Sequence, residues 1–276
     1  MKKYIPLLFI IFFTGCSSLL FHPNKKMNPV NIDYFEVDHK IITTKIDNDI
    51  LYGWHLKTDK KRKGTIVFLH GNAGNISSHI WSVIWFPWHG YDVISFDYRG
   101  YGNSTGEPSI DNIHKDVKAI FDWSIKNTPI DEKLYIFGQS LGGVVSTTTL
   151  ANYKDQNRFS SIIIDSAFSS YKDVAEDVLK KNWFTSPFLS FSQKLEFPTL
   201  DPINNIQNIH ISKIILHGKK DEIVDFKHSL KLYEKAKTPK SIWLKEDAIH
   251  IGLFLDKKSR LRLIDLLENY KEIDIR

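Results

Sequence analysis

Three residues far apart in the chain are of the types that together activate a hydroxyl: Ser140, Asp221 and His250. Ser140 lies in Gly138-Gln139-Ser140-Leu141-Gly142, directly after the apolar run Lys133–Phe137 and directly before Val144–Ala151. A serine at a sharp strand-to-helix turn holds its hydroxyl above the sheet edge. Glycines flank it because a Cβ there would collide with neighbouring backbone. The next amide, on Leu141, opens a helix N-terminus, where N–H groups point outward and the dipole favours negative charge. A second donor for an oxyanion is expected from His70-Gly71-Asn72-Ala73-Gly74-Asn75, the loop behind the β run Thr65–Leu69; we assign it to the amide of Asn72. Serine is a weak nucleophile at neutral pH and needs a base held in one tautomer by a carboxylate. Asp221 follows Ile214-Ile215-Leu216, and His250 follows Ser241–Leu244, so the three stand in the order Ser, Asp, His, each behind its own apolar run. Such a set performs acyl transfer through a covalent serine intermediate.

The elements that must hold these residues are legible as alternating runs. Asp33–Asp47 and Leu51–Leu56 read as an antiparallel start to a sheet. Thr65–Leu69, Asp92–Phe96, Lys133–Phe137, Ser161–Ile164, Lys213–Leu216 and Ser241–Leu244 are short apolar runs fit for buried parallel strands. Between them, Ile76–Phe86, Ile110–Ile125, Ser140–Ala151, Asp225–Ala236 and Leu253–Tyr270 read as helices. The alternation implies an α/β fold, a mostly parallel central sheet with helices on both faces. Ligands of such sheets bind at the carboxyl ends of the strands, where every proposed site residue falls. Tyr171–Pro202, rich in aromatics (Trp183, Phe184, Phe188, Phe191, Phe197) and broken by Pro187, Pro198 and Pro202, reads as a short lid insertion of about residues 171–202. Trp81, Trp85 and Trp88 flank the oxyanion loop at helical spacing, which favours core burial over an acyl pocket.

Competing assignments are weaker. Glu222 is the neighbour of Asp221, and only the register of His217-Gly218-x-x-Asp221 prefers the latter. His228 lies in a helical run and reads as surface, while His217 and His70 precede glycines and read as shaping their loops. Asp97 and Arg99, in an Asp-x-Arg-Gly-x-Gly loop, read as structural. A metal held by His70, Asp97 and His250 has no supporting ligand spacing, and the serine chemistry requires neither a metal nor another cofactor.

Taken together, His70–Asn75, Asp97–Ser104, Gly138–Gly143, His217–Asp221 and His250 resemble the α/β-hydrolase superfamily of serine hydrolases, in the branch with a His-Gly-Asn-Ala-Gly-Asn oxyanion loop that includes membrane-anchored esterase and thioesterase-like proteins. The resemblance runs from about Thr65 to about Gly252. It implies Ser140 as nucleophile, Asp221 as acid, His250 as base, and the amides of Asn72 and Leu141 as oxyanion hole. It also implies an ester, thioester or amide substrate, an ester being the commonest case for the fold. The alternatives are a serine peptidase or amidase of the same fold and a non-catalytic lipid-tethered binding module. Two departures from the family pattern stand out: Ala248 where a glycine often precedes the histidine by two, and Asp225 where a proline often follows Asp-x-Ile-Val. The first bears on the loop that places His250.

The amino terminus carries a separate signal. Lys2 and Lys3 precede the apolar run Ile5–Phe13, which is shorter than the roughly 20 residues that span a bilayer. Thr14-Gly15-Cys16 closes it, and Cys16 is the chain's single cysteine, so an internal disulfide is excluded. The pattern resembles a bacterial lipobox, with residues 1–15 as signal peptide, Cys16 as the lipidated new N-terminus, 16–31 as a tether, and 32–276 as the hydrolase domain. Ser17 in place of aspartate favours an outer-membrane or surface destination. The remaining length fits one large domain, and the whole chain's 42% hydrophobic and 25% charged residues are ordinary for a globular protein. The net charge of +5 includes Lys60-Lys61-Arg62-Lys63, read as a solvated turn between strands. An exported chain with no recognition motif is not expected to bind nucleic acid. The expected partners are a small-molecule or lipid acyl substrate and a membrane reached through the N-terminal lipid.

Overall fold

The computed structural model describes residues 21–29, 35–180 and 197–276. Cys16, the signal segment, and Trp183, Phe184, Pro187, Phe188 and Phe191 of the expected lid lie outside the described residues.

Among the described residues nine strands form one sheet: β1 (Asp38–Ile46), β2 (Asp49–Lys57), β3 (Gly64–Leu69), β4 (Tyr91–Phe96), β5 (Leu134–Gln139), β6 (Phe159–Asp165), β7 (Ser212–Gly218), β8 (Lys240–Lys245) and β9 (Asp274–Ile275). Their spatial order is β9-β8-β7-β6-β5-β3-β4-β2-β1. β1 pairs antiparallel with β2, and β2 with β4; every other pair is parallel. Every residue of β3, β4 and β5 is buried, as strands covered on both faces require. Successive residues of a strand point to opposite faces. Accordingly Val67, Leu69, Ile136 and Ile164 join one core cluster, and Ile66, Phe68, Phe137 and Ile163 join the other. Helices α1 (Ile110–Lys126) and α2 (Leu141–Ala151) contribute Val117, Ile120, Val144 and Leu150 to the first cluster. Helix α5 (Lys257–Glu268) contributes Leu263, Leu266 and Leu267 to the second. α3 (Tyr171–Lys180) and α4 (Lys227–Lys235) complete the longer helices among the described residues.

Three elements differ from the sequence reading. Ile76–Phe86 is not one helix: a single α-turn, Ile76–His79, gives way to a 3₁₀ turn, Ile80–Ser82. The rings of Trp85 and Phe86 stack at 3.9 Å. Neighbours in a regular helix diverge by about 100°, so that stacking requires the chain to leave it. The expected helix Leu253–Tyr270 begins later, at Lys257, where the side chain of Asp256 accepts the amide of Ser259 and caps it. Finally, β9 adds an edge strand too short to carry a hydrophobic period.

Candidate active site

The strand order explains how distant residues meet. Leu69 pairs with Gly138, so the oxyanion loop leaves β3 beside the elbow that leaves β5. β6 and β7 follow, with Gln139 opposite Asp165 and Asp165 opposite Leu216, and β8 lies beyond, His217 opposite Leu244. Ser140, Asp221 and His250 therefore emerge along one carboxyl edge of the sheet.

Ser140 has φ 53° and ψ −119°, a region that residues with a Cβ rarely adopt. Its amide donates to Asp165 O at 2.8 Å, and its carbonyl accepts from Gly143 and Val144. Gln139 and Leu141 are buried, while Ser140 is partly exposed. The flanking glycines serve close approach: a Cβ on Gly142 would run into the Leu69 carbonyl, and one on Gly138 into Gly142 and Gly143. A Cβ on Gly71 would stand 3.6 Å from Ser140 Cβ, so the oxyanion loop abuts the elbow. The amide of Leu141, in the first turn of α2, has no acceptor within its own helix.

Asp221 Oδ2 meets His250 Nδ1 at 2.6 Å, and the Asp221 side chain is fully buried. Nδ1–H donates to the carboxylate, which leaves Nε2 as the imidazole's acceptor. Asp221 also receives His217 Nε2 at 3.0 Å on Oδ2 and the amides of Ile223 and Val224 on Oδ1. Burial alone would raise its pKa, but the hydrogen bonds from His217 and His250 outweigh burial and hold the carboxyl well below its ordinary range. Glu222 is exposed on the same turn. His217 is locked in turn by Ser229 Oγ at 2.7 Å.

Both family departures fit without disturbing this pair. Ala248 is buried, its carbonyl accepts Lys220 N at 3.0 Å, and it has no positive φ. Asp225 Oδ1 accepts Lys227 N at 2.9 Å and so starts α4.

The sequence reading missed three groups. Asp165, buried at the end of β6, accepts Gln139 Nε2 at 2.8 Å and Ser166 Oγ at 2.9 Å. Burial pushes its pKa above the usual carboxylate range, against those hydrogen bonds. Ser166 Oγ also accepts the amide of Ile251 at 3.2 Å, tying the residue after His250 to the strand next to the one that carries Ser140. Ser166 and Ile251 both have positive φ, 55° and 48°. A serine behind a strand has no spacing signal; only its place after β6, between nucleophile and acid, could have singled it out. The third group is the stretch Phe21–Asn28. The expected tether is here packed on the oxyanion loop: His22–Pro23 pairs parallel with Ala73–Gly74, and Phe21 is 3% exposed.

Other residues resolve plainly. Asp97 Oδ1 accepts Ile76 N at 2.7 Å, and Arg99 pairs with buried Asp116 at 2.7 Å, both structural contacts. His228 is not on the surface: it is 2% exposed and bridges Ser169 Oγ (2.8 Å) to Asp177 (3.0 Å). That Ser-His-Asp string is closed to substrate because Ser169 is fully buried. His70 Nδ1 donates to Gly71 O at 2.7 Å and its ring stacks on His79. Trp85 is core, whereas Trp81 and Trp88 are half exposed against Phe35. Arg62 and Lys63 of the basic turn pair with Asp92 and Glu268. A groove of about 710 Å³ behind the His250 loop, lined by Trp243, Asp247, Ile249 and Arg262 among others, does not include Ser140, Asp221 or His250 in its walls. Among the described residues there is no cluster of metal-ligating side chains, and no helix is long and apolar enough to cross a membrane.

Residues 64–189 match the model of the alpha/beta hydrolase fold family. The YfhR protein of Salmonella typhi is 32% identical over 234 residues, covering 80% of this chain and 77% of that protein. The lysophosphatidylserine lipase ABHD12 of Xenopus tropicalis is 30% identical over 204 residues, covering 68% of this chain and 51% of the lipase. Among solved structures, the Pyrococcus furiosus esterase Pf2001 superposes with a TM-score of 0.73 at 20% identity, covering 90% of this chain and 97% of that one.

Proposed function

The chain belongs to the α/β-hydrolase family, and from that premise we propose that it is a serine hydrolase cleaving carboxylic esters or thioesters through an acyl-serine intermediate. The observation that carries the reading is the partly exposed Ser140 on a strained elbow, at the same sheet edge as a partly exposed His250 hydrogen-bonded to a buried Asp221 carboxylate. The esterase and lipase names among its relatives support ester cleavage.

In this mechanism His250 Nε2 takes the hydroxyl proton as Ser140 Oγ bonds to the acyl carbon. Asp221 holds the tautomer and stabilises the imidazolium. The carbonyl oxygen becomes an oxyanion received by the amides of Leu141 and Asn72; losing one such donor typically costs about 100- to 1,000-fold in rate. Collapse breaks the bond to the alcohol or thiol, which leaves with the proton from His250. Water then attacks the acyl-serine by the same route, releasing the acid and restoring Ser140. The substrate is a small or lipid acyl compound. Cys16 carries the lipid that anchors the exported protein to an outer membrane or cell surface.

Ser140→Ala is expected to abolish both p-nitrophenyl ester hydrolysis and fluorophosphonate labelling with the fold intact by circular dichroism. Full activity in folded Ser140→Ala protein would end the proposal. A panel of p-nitrophenyl esters, acyl-thioesters and aminoacyl amides then separates esterase, thioesterase and amidase.

A further inference from the structure

The oxyanion loop is not held by the domain alone. His22 N donates to Asn72 Oδ1 at 3.1 Å, and Tyr101 OH donates to the same oxygen at 2.8 Å. Asn24 N donates to Gly74 O at 3.0 Å. Asn75 Nδ2 donates to the carbonyls of Asn24 (2.7 Å) and Lys26 (3.0 Å), while its Oδ1 caps Ser77 N. Asn28 N donates to Ser77 Oγ at 2.8 Å, and Gly102 N to Asn24 O at 3.0 Å. Phe21 anchors the stretch in the core cluster that also holds Tyr98 and Tyr101. Asn72, whose amide is proposed to meet the oxyanion, is thus positioned through its side chain by residues about 50 positions earlier.

We propose that Phe21–Asn28 is a strap that sets the oxyanion loop, so that the segment behind the signal region is a positioning element of the active site. This rests on the serine-hydrolase reading. A glycine-containing loop has many accessible conformations, and only one aims the Asn72 amide at the position of the oxyanion. The strap removes the others by adding a parallel strand along Ala73–Gly74 and by filling the polar groups of Asn72 and Asn75. Those interactions act on the transition state more than on the substrate, so their loss falls on kcat.

The test uses the full chain in detergent. In one variant Phe21–Asn28 is replaced by eight alternating glycines and serines; in a second, Asn75→Asp keeps the cap on Ser77 but turns the two donors facing Asn24 O and Lys26 O into acceptors. Rates are divided by the serine titrated with a fluorophosphonate, so unfolded protein does not count. For a p-nitrophenyl ester, kcat is expected to fall at least about tenfold in both, with KM little changed. A synthetic peptide of Phe21–Pro29 should restore kcat to the glycine-serine variant. If kcat per titrated serine stays within about twofold of the wild type, or KM alone moves, the strap has no catalytic role. A wild-type chain that neither hydrolyses esters nor takes the label would instead overturn the serine-hydrolase reading, and the strap's role with it.

Discussion

One carboxylate serves two imidazoles at the proposed catalytic centre. Asp221 receives both His250 and His217 on Oδ2, and the two amides on Oδ1 fix its orientation. Its pKa lies below the ordinary 3.8, so it stays a carboxylate throughout any acidic limb of a pH–rate profile. Asp221→Asn removes the charge and the enforced tautomer together. We expect kcat to fall by about 10³- to 10⁴-fold, whereas Glu222→Gln should leave it nearly unchanged. The reverse ranking in steady-state kinetics would move the acid one residue along. Ser166 acts through a different residue. It joins Asp165, and through it the elbow, to Ile251 beside the proposed base, and Ser166→Ala cuts that link without touching Ser140, Asp221 or His250. A base displaced by an ångström loses about 100-fold. The expected result is a fall in kcat of about 10- to 100-fold at nearly constant KM and melting temperature. Unchanged kcat would show that His250 is held by the Asp221 contact alone.

At the scale of elements, the packing of α2 bears on both the proposed catalysis and acid stability. α2 approaches β3 closely enough that only glycine fits at 142, and its other flank meets α1 where His114 Nδ1 faces Thr149 Oγ1 at 3.2 Å. Burial lowers the His114 pKa from 6.5 to about 4, only partly opposed by Asp111. The native imidazole therefore binds its proton less readily than the unfolded one, and stability is lost as pH falls from 6.5 towards 4. Each such group contributes a slope of at most about 1.4 kcal/mol per pH unit. Urea titrations from pH 7 to 4.5 should show a shallower loss for His114→Gln by about that amount; His79, shifted in the same direction mainly by burial, adds to the same loss. Identical slopes would place the acid sensitivity elsewhere. The strands at this edge were readable because each is a buried apolar run that ends in a polar or glycine-rich turn. The proposed nucleophile, acid and base share that property, since each sits at such an ending. Asp165 and Ser166 sit at one too, but nothing in their types distinguishes them from any strand end. The turn Ile76–Ser82 was misread because tryptophan and isoleucine spacing mimics a helix face, whereas contacts between sequence neighbours broke it.

For the whole molecule, the misread segment is the instructive one. Phe21–Asn28 is rich in lysine, asparagine and proline, the composition of a solvated tether, and its contacts are made largely by backbone groups that composition does not register. Docking it shortens the leash. With Cys16 lipidated, as proposed, only five peptide bonds join the lipid-bearing residue to Phe21, and an extended chain covers at most about 3.6 Å per residue. Phe21, and with it the strap on the oxyanion loop, is then tethered within about 18 Å of the anchor, which would keep the site near the bilayer surface. Ile223 and Ile249, 60% and 57% exposed on the loops that carry Asp221 and His250, present apolar surface beside those two residues. A 30-residue glycine-serine spacer inserted between Leu20 and Phe21 keeps the strap but lengthens the leash, and effective concentration falls roughly as the −3/2 power of linker length. In proteoliposomes, turnover of a water-soluble p-nitrophenyl ester should be unchanged, while hydrolysis of a long-chain ester dissolved in the same bilayer should drop several-fold. Equal rates on the bilayer ester, with and without the spacer, would mean that the leash does not present the site to the membrane.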